Sequence, residues 1–247
     1  MTEQNVTYRD ASSLSHYIKY GLYAQLVLTF VAFIAGFLEY QILQEMKSGL
    51  FSSREQFTAD ANASDLRLKI VGIVQLLLFI MTAFLILKWI YRANLNARAL
   101  GAEGMQYTPE WSVAWFFFPI VNLWKPYQAV KEICRASRTS ENWSGLAISD
   151  TAHWWWIFFL IEGTLSRISF QQAIKAKSLD QYISANVVGQ ISEVVFVPLV
   201  FIFLQLMREI NSMQQSRVPQ QGLANMTQHQ QASPIEQSMT EPAARTQ

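Results

Sequence analysis

Three side chains inside long apolar runs, Gln75, Glu162 and Glu193, are the ones whose type and position could do chemistry, with Glu39 and Arg167 shallower in the same half. Counted inward at 1.5 Å per residue from the far ends of their runs, the first three each fall about 10 Å below one surface, so they could form a single polar layer. A lone acid at the centre of a membrane span costs about 3 kcal/mol on insertion scales and needs a partner, water or a proton. Two adjacent carboxylates cannot both ionise cheaply, so a facing Glu162 and Glu193 would make a proton relay or a cation site. The alternative is structural, with one glutamate paired to Arg167 and the others hydrogen-bonded between helices.

The second constellation is Pro119-x-x-Asn122-x-Trp124-x-Pro126, inside the aromatic stretch 108–128. From Trp111 to Trp124 this stretch would span about 21 Å as a helix, against a hydrocarbon core of about 30 Å. Pro119 removes the hydrogen bond to the carbonyl of Trp115, and Pro126 does the same to that of Asn122. A broken helix here would present freed carbonyls and the Asn122 amide to an ion or a polar headgroup. The alternative is a kinked or interfacial helix held at the headgroups by its aromatics. Lys125 offers no good N-cap to a helix at Pro126, which favours a continuous kinked helix over a turn. Arg92, Asn94, Asn96 and Arg98 follow the second apolar run, and Arg92 and Arg98 are the candidate lipid-phosphate contacts.

No HExxH, GxSxG, phosphate-cradling glycine loop or Cys/His metal spacing occurs in the chain. A single cysteine, Cys134, excludes an intrachain disulfide scaffold and a cysteine-built zinc site. His16 and His153 both fall near one interface, so a bis-histidine haem is geometrically conceivable, but solvated or capping histidines are the usual case. The expectation is therefore a non-enzyme with no catalytic residue, no metal and no cofactor.

The elements that must hold these residues are apolar helices. Four runs, 21–43, 69–91, 152–170 and 186–207, each hold about 19 to 23 residues, the length a bilayer requires. Lipid leaves the backbone no other partner, so each must be helical. Asn62 or Ser64 should start the second helix and Ser149 or Asp150 the third. The loop at 44–66 reads as short-helical or irregular. A composition of 51% apolar, 13% aromatic and 15% charged residues is that of a membrane protein. A net charge of +1, spread along the chain, argues against a nucleic-acid partner.

With four spans and a non-crossing central stretch, 12 Lys and Arg fall on one side and 7 on the other. The positive-inside rule then puts both termini in the cytoplasm. The domains read as a cytoplasmic segment 1–16, a helical membrane domain 17–213 and an unstructured glutamine-rich cytoplasmic tail 214–247. Sliding the chain by 117 positions pairs Val71, Gly72, Phe79, Phe84, Leu87 and Asn94 with Val188, Gly189, Phe196, Phe201, Leu204 and Asn211. A true repeat would make two parallel helical hairpins around the central stretch.

The run 89–137 carries Tyr91-Arg92, Asn94, Leu100-Gly101, Thr108-Pro109, Trp111, then Phe118-Pro119-Ile120-Val121-Asn122-Leu123-Trp124 with Pro126-Tyr127, and closes on Glu132 and Arg135-Ala136-Ser137. With the Trp154–Trp156 cluster, these residues resemble the membrane family catalogued as domain of unknown function 4328, and the likeness extends over most of 17–212. The resemblance implies a bacterial multi-span protein and brings no activity with it. The fold class expected is an all-α membrane protein of four transmembrane helices plus a central broken aromatic re-entrant or interfacial helix. The expected role is a non-enzymatic scaffold or lipid-contacting component of the bacterial inner membrane, with the bilayer and a second copy or another membrane protein as partners. The rival is a small proton- or cation-linked transporter using Glu162, Glu193 and the Asn122 break.

Overall fold

The computed structural model describes residues 7–49, 53–139, 142–147 and 149–238. It contains α1 (Ser12–Ser48), α2 (Arg54–Ala99), α3 (Pro109–Ala114), α4 (Lys125–Arg138), α5 (Asp150–Lys175) and α6 (Leu179–Ser238), with no strand among the described residues. Three of these, α1, α2 and α6, are long and apolar enough to cross a membrane. Helix α5, the remaining expected span, is 26 residues long. It is less apolar, because Glu162, Arg167, Gln171 and Gln172 interrupt it.

Helices α1 and α2 form one antiparallel hairpin, and α5 and α6 a second. Helix α6 also packs along α1 and reaches α2, while α5 makes no comparable contact with α2. The paired contacts Gln75–Glu193, Trp89–Asn211 and Ala93–Gln214 show α2 and α6 running parallel. Small residues allow the closest approaches, as expected where lipid gives helices no hydrophobic reason to associate. A Cβ on Gly21 would lie 2.8 Å from the Thr82 hydroxyl, and one on Gly189 would lie 2.9 Å from the Ser169 hydroxyl.

The buried core is concentrated at the end of the bundle where α1 begins and α2 ends. Ile18, Trp89, Ile90 and Ala97 meet Val130 and Ile133 of α4, Trp155 of α5 and Val200, Leu206 and Ile210 of α6. Toward the other end the helices expose their apolar residues, α2 most of all, with Leu76, Leu77, Phe79, Ile80 and Phe84 uncovered. That distribution is what a lipid solvent permits and water would not.

Two expectations about boundaries change. The segment 44–66 is mostly helix: α1 runs to Ser48, where Gly49 adopts a left-handed cap, and α2 already starts at Arg54. Only 50–52 lies outside the described residues in that connection. At the other end, ordered structure passes the expected boundary at 213. Helix α6 continues to Ser238, and Gln214 is 1% exposed. The Gln214 amide donates to the carbonyl of Ala93 and the hydroxyl of Ser137, and accepts from Asn96. Composition treats glutamine and arginine as solvent-seeking, but here they satisfy buried acceptors. The rest of the expected tail, 239–247, lies outside the described residues.

Arg217 explains why this segment is held. Its guanidinium donates to the carbonyl of Leu100, at the end of α2, and to that of Ala136, in the last turn of α4. Each helix leaves its last carbonyls without internal partners and carries partial negative charge there. One cation thus caps two helix ends. Helix α2 completes its own cap with Gly101 at φ 84, whose N–H donates to Arg98 while that of Ala102 donates to Ala97. Arg217→Ala should destabilise the bundle by about 3 kcal/mol, and Arg217→Lys should recover only part, since one ammonium cannot match the fork. Thermal unfolding in mild detergent reads this; an unchanged midpoint for Arg217→Ala would contradict the double cap.

Candidate functional site

The structure draws Gln75, Glu162 and Glu193 into one region. The Gln75 amide of α2 donates to Glu193 Oε1 of α6 at 3.1 Å, and Thr29 of α1 hydrogen-bonds the same carboxylate. On the next helix, Glu162 of α5 accepts from Ser192 at 3.5 Å and lies close enough to Glu193 for their charges to interact. Four helices thus meet at one polar layer. Arg167 stands apart: it is exposed, and among the described residues it pairs with neither glutamate. The structural alternative built on an Arg167 ion pair is therefore absent, while the interhelical hydrogen bonds it also invoked are present.

Below this layer toward the α1–α2 turn lies a second one. Asn186 of α6 donates to the Gly36 carbonyl at 2.9 Å and to Glu39 at 2.6 Å, and Gln190 donates to Asn186. Asn186, Gln190 and Glu193 stand at i, i+4 and i+7, so one polar stripe of α6 serves both layers. That spacing was the available signal for Asn186 and Gln190, which the depth count missed. Thr29 and Ser192 carried no signal, being ordinary small polar residues in apolar runs.

The central stretch is broken, not continuously kinked. Thr108 caps α3, its hydroxyl accepting from the N–H of Trp111, with Pro109 in the first turn. Helix α3 gives way to a tight turn at Trp115–Phe117, and Phe118 then turns extended at φ −98 and ψ 109, as a residue before proline must. A second tight turn, Val121–Leu123, leads through Trp124 into α4 with no side-chain cap. The break agrees with the expected broken helix, and the kinked-helix alternative fails because Pro119 keeps Phe118 out of the helical region. The break largely satisfies its own backbone: Asn122 N donates to Phe118 at 2.7 Å, Leu123 to Ile120, Trp124 to Val121 and Gln128 to Trp124.

Of the four motif residues, Pro119 and Trp124 are exposed, Pro126 is buried, and Asn122 keeps its amide oxygen buried without a hydrogen-bond partner. Phe117, Phe118, Ile120 and Leu123 project outward beside Trp124, while Phe116 packs edge-on against Phe159 of α5 at 6.4 Å. Phe159 stands nine residues into α5, about 14 Å along its axis. The aromatic turn thus lies alongside the first third of α5, with its outer face uncovered.

The loop before α3 is tied down by buried polar groups. Glu132 of α4 accepts from the N–H groups of Gln106 and Tyr107 at 2.6 and 3.0 Å. Burial pushes the Glu132 carboxyl up from its ordinary value, against the pull of these two donors and Arg98. Asn94 donates to the Tyr107 carbonyl, and Arg98 donates to Asn94, Met105 and Tyr107. Arg98 is thus engaged inside the protein, and Arg92 donates to the carbonyl of Asp10. Among the described residues no three His, Cys, Asp or Glu side chains converge as a metal set would.

A family model for a domain of unknown function, DUF4328, matches residues 54–212. The chain belongs to this family. No curated protein and no solved structure matches it. The DUF4328 match takes in α2 through most of the apolar part of α6 and leaves α1 outside, though the expected likeness began at 17. Of the residues that carry the likeness in the sequence, Asn94, Gly101, Thr108, Pro119 and Glu132 each fix a cap, a break or a buried bond.

The polar layer can be probed without knowing its purpose. Gln75→Leu leaves Glu193 short of a donor and should destabilise the bundle by about 1–3 kcal/mol, whereas Gln75→Leu combined with Glu193→Leu should recover most of it. Unfolding of the two single variants and the double variant in detergent completes the cycle. Costs that simply add would mean the bond contributes nothing.

Proposed function

We propose that this DUF4328 protein is a non-enzymatic, four-span component of the bacterial inner membrane that contacts lipid through its central aromatic turn, with α5 as the fourth span and both termini cytoplasmic. The observation that carries this reading is the uncovered face of Phe117, Phe118, Ile120, Leu123 and Trp124, beside the Phe116 ring that packs on α5 at the basic end of the bundle. Tryptophan and phenylalanine on a short non-spanning segment suit the headgroup and upper acyl region of one leaflet. Re-entry without crossing is supported by the break itself, whose internal backbone bonds let irregular chain sit at shallow depth. Helix α5 packs more extensively on α6 than any other helix pair does, which supports its crossing with α6 despite its polar residues. The uncovered outer half of α2 suits a second copy or another membrane protein.

A nitroxide at Ile120→Cys, in a Cys134→Ala background and reconstituted in vesicles, should collide more with oxygen than with a water-soluble nickel chelate. The opposite ranking would put the turn in water and end this reading.

A second reading draws on the contact of Glu162 with Ser192 and its charge interaction with Glu193, which unites carboxylates from two helices at one depth. In it the layer conducts a proton or a cation. Glu162→Gln with Glu193→Gln should then abolish proton- or cation-linked flux in vesicles while leaving the fold intact, and the absence of flux in the unsubstituted protein under every gradient would remove this alternative.

A further inference from the structure

Beside the aromatic turn, α4 carries Tyr127, Lys131 and Arg135 at i, i+4 and i+8, one side of the helix. Tyr127 stacks on Trp156 of α5 at 5.9 Å and meets His153 at 5.7 Å, so this side of α4 lies against the first turns of α5. Lys131 Nζ sits 5.9 Å from the centre of the Tyr127 ring, and the Arg135 charge also acts on Tyr127. The two cations and the phenol therefore share one ledge, with the half-exposed Trp154 beside His153.

No carboxylate among the described residues forms an ion pair with these cations. Among the described residues the ion pair is Lys47–Asp180, far away at the α1–α2 and α5–α6 turns. Asp150 and Glu209 belong to the same end of the molecule, but Glu209 accepts from Ser149, Thr151 and Gln205, and neither acid pairs with Lys131 or Arg135. Arg135 Nε is buried without any hydrogen-bond acceptor. That nitrogen lacks the acceptor that ordinarily offsets the burial of a polar group. The planar guanidinium fork and the neighbouring ammonium match the oxygens of a phosphate.

We infer that Lys131 and Arg135, backed by Tyr127, form a binding site for the phosphate headgroup of an anionic phospholipid in the leaflet that holds the aromatic turn. The lipid's acyl chains would run along the uncovered Phe117, Phe118 and Ile120, which makes lipid a better match than a soluble phosphate compound. This inference rests on the leaflet placement proposed above. It also differs from the sequence expectation, which looked to Arg92 and Arg98, both occupied by backbone carbonyls.

The test uses the full chain in mild detergent, with bound phosphatidylglycerol measured by native mass spectrometry during titration. Lys131→Gln with Arg135→Gln should weaken retention about ten-fold or more, with Lys131→Gln alone and Arg135→Lys each weaker by a smaller factor, since an ammonium keeps the charge and loses the fork. Phosphatidylcholine retention should be the same in all of them. Thermal unfolding of each variant separates a lost site from a lost fold; Lys131→Gln removes a partly exposed ammonium and keeps the comparison available if Arg135 proves structural. Equal phosphatidylglycerol retention in parent and variants overturns the site, as does inorganic phosphate displacing the lipid at comparable concentration, which would assign the ledge to soluble phosphates. The nitroxide at Ile120 reports independently: water exposure there with variant-sensitive lipid retention would sink the leaflet placement alone, and lipid exposure with insensitive retention would sink the site alone.

Discussion

The bundle depends on one polar stripe just past the middle of α6. Asn211, Gln214 and Arg217 recur every three residues and between them reach three other helices. Asn211 joins Ser15 of α1 to the Trp89 indole of α2. Gln214 joins the backbone of α2 to Ser137 of α4, and Arg217 closes the ends of both. Hydrogen bonds between apolar helices matter because lipid is as good a solvent for leucine as another helix is. Directional bonds therefore choose the register that packing alone would leave open. The core of Trp89, Ile90, Ile133 and Ile210 gathers around this stripe and thins out away from it.

Away from the stripe, specificity passes to the two layers at Glu193 and Asn186. There the helices share few buried apolar side chains, and the acids and amides of α6 reach across to α1, α2 and α5. These layers do structural service whatever else they do. A carboxylate in such a place is both a fastening and a titratable group, so any transport role would have to work through bonds that also hold the bundle together.

Much of this was legible in the sequence. The long apolar runs reported helices, the depth count brought Gln75, Glu162 and Glu193 to one level, and Thr108-Pro109 marked the start of α3. What failed did so for local reasons. Residues 54–66 include Arg54, Glu55, Gln56, Ala59, Ala61, Ala63 and Leu66, good helix formers that extend α2 upward, while their polarity made them look short-helical or irregular. Gln214 and Arg217 looked like the start of an unstructured tail because composition cannot know that two helix ends wait for a donor. Arg98 and Arg135 are alike in the sequence, yet one is bound by the carbonyls of Met105 and Tyr107 and the other keeps its Nε buried without an acceptor. Only the folded arrangement of the loop distinguishes them.

The stripe also fixes an order of events during synthesis. The carbonyls of Leu100 and Ala136 emerge from the ribosome long before Arg217 exists to meet them. The caps that join α2 to α4 therefore stay open until the chain has been made as far as Arg217. A chain interrupted before Arg217 would carry every apolar segment and lack the one side chain that closes the ends of α2 and α4 together.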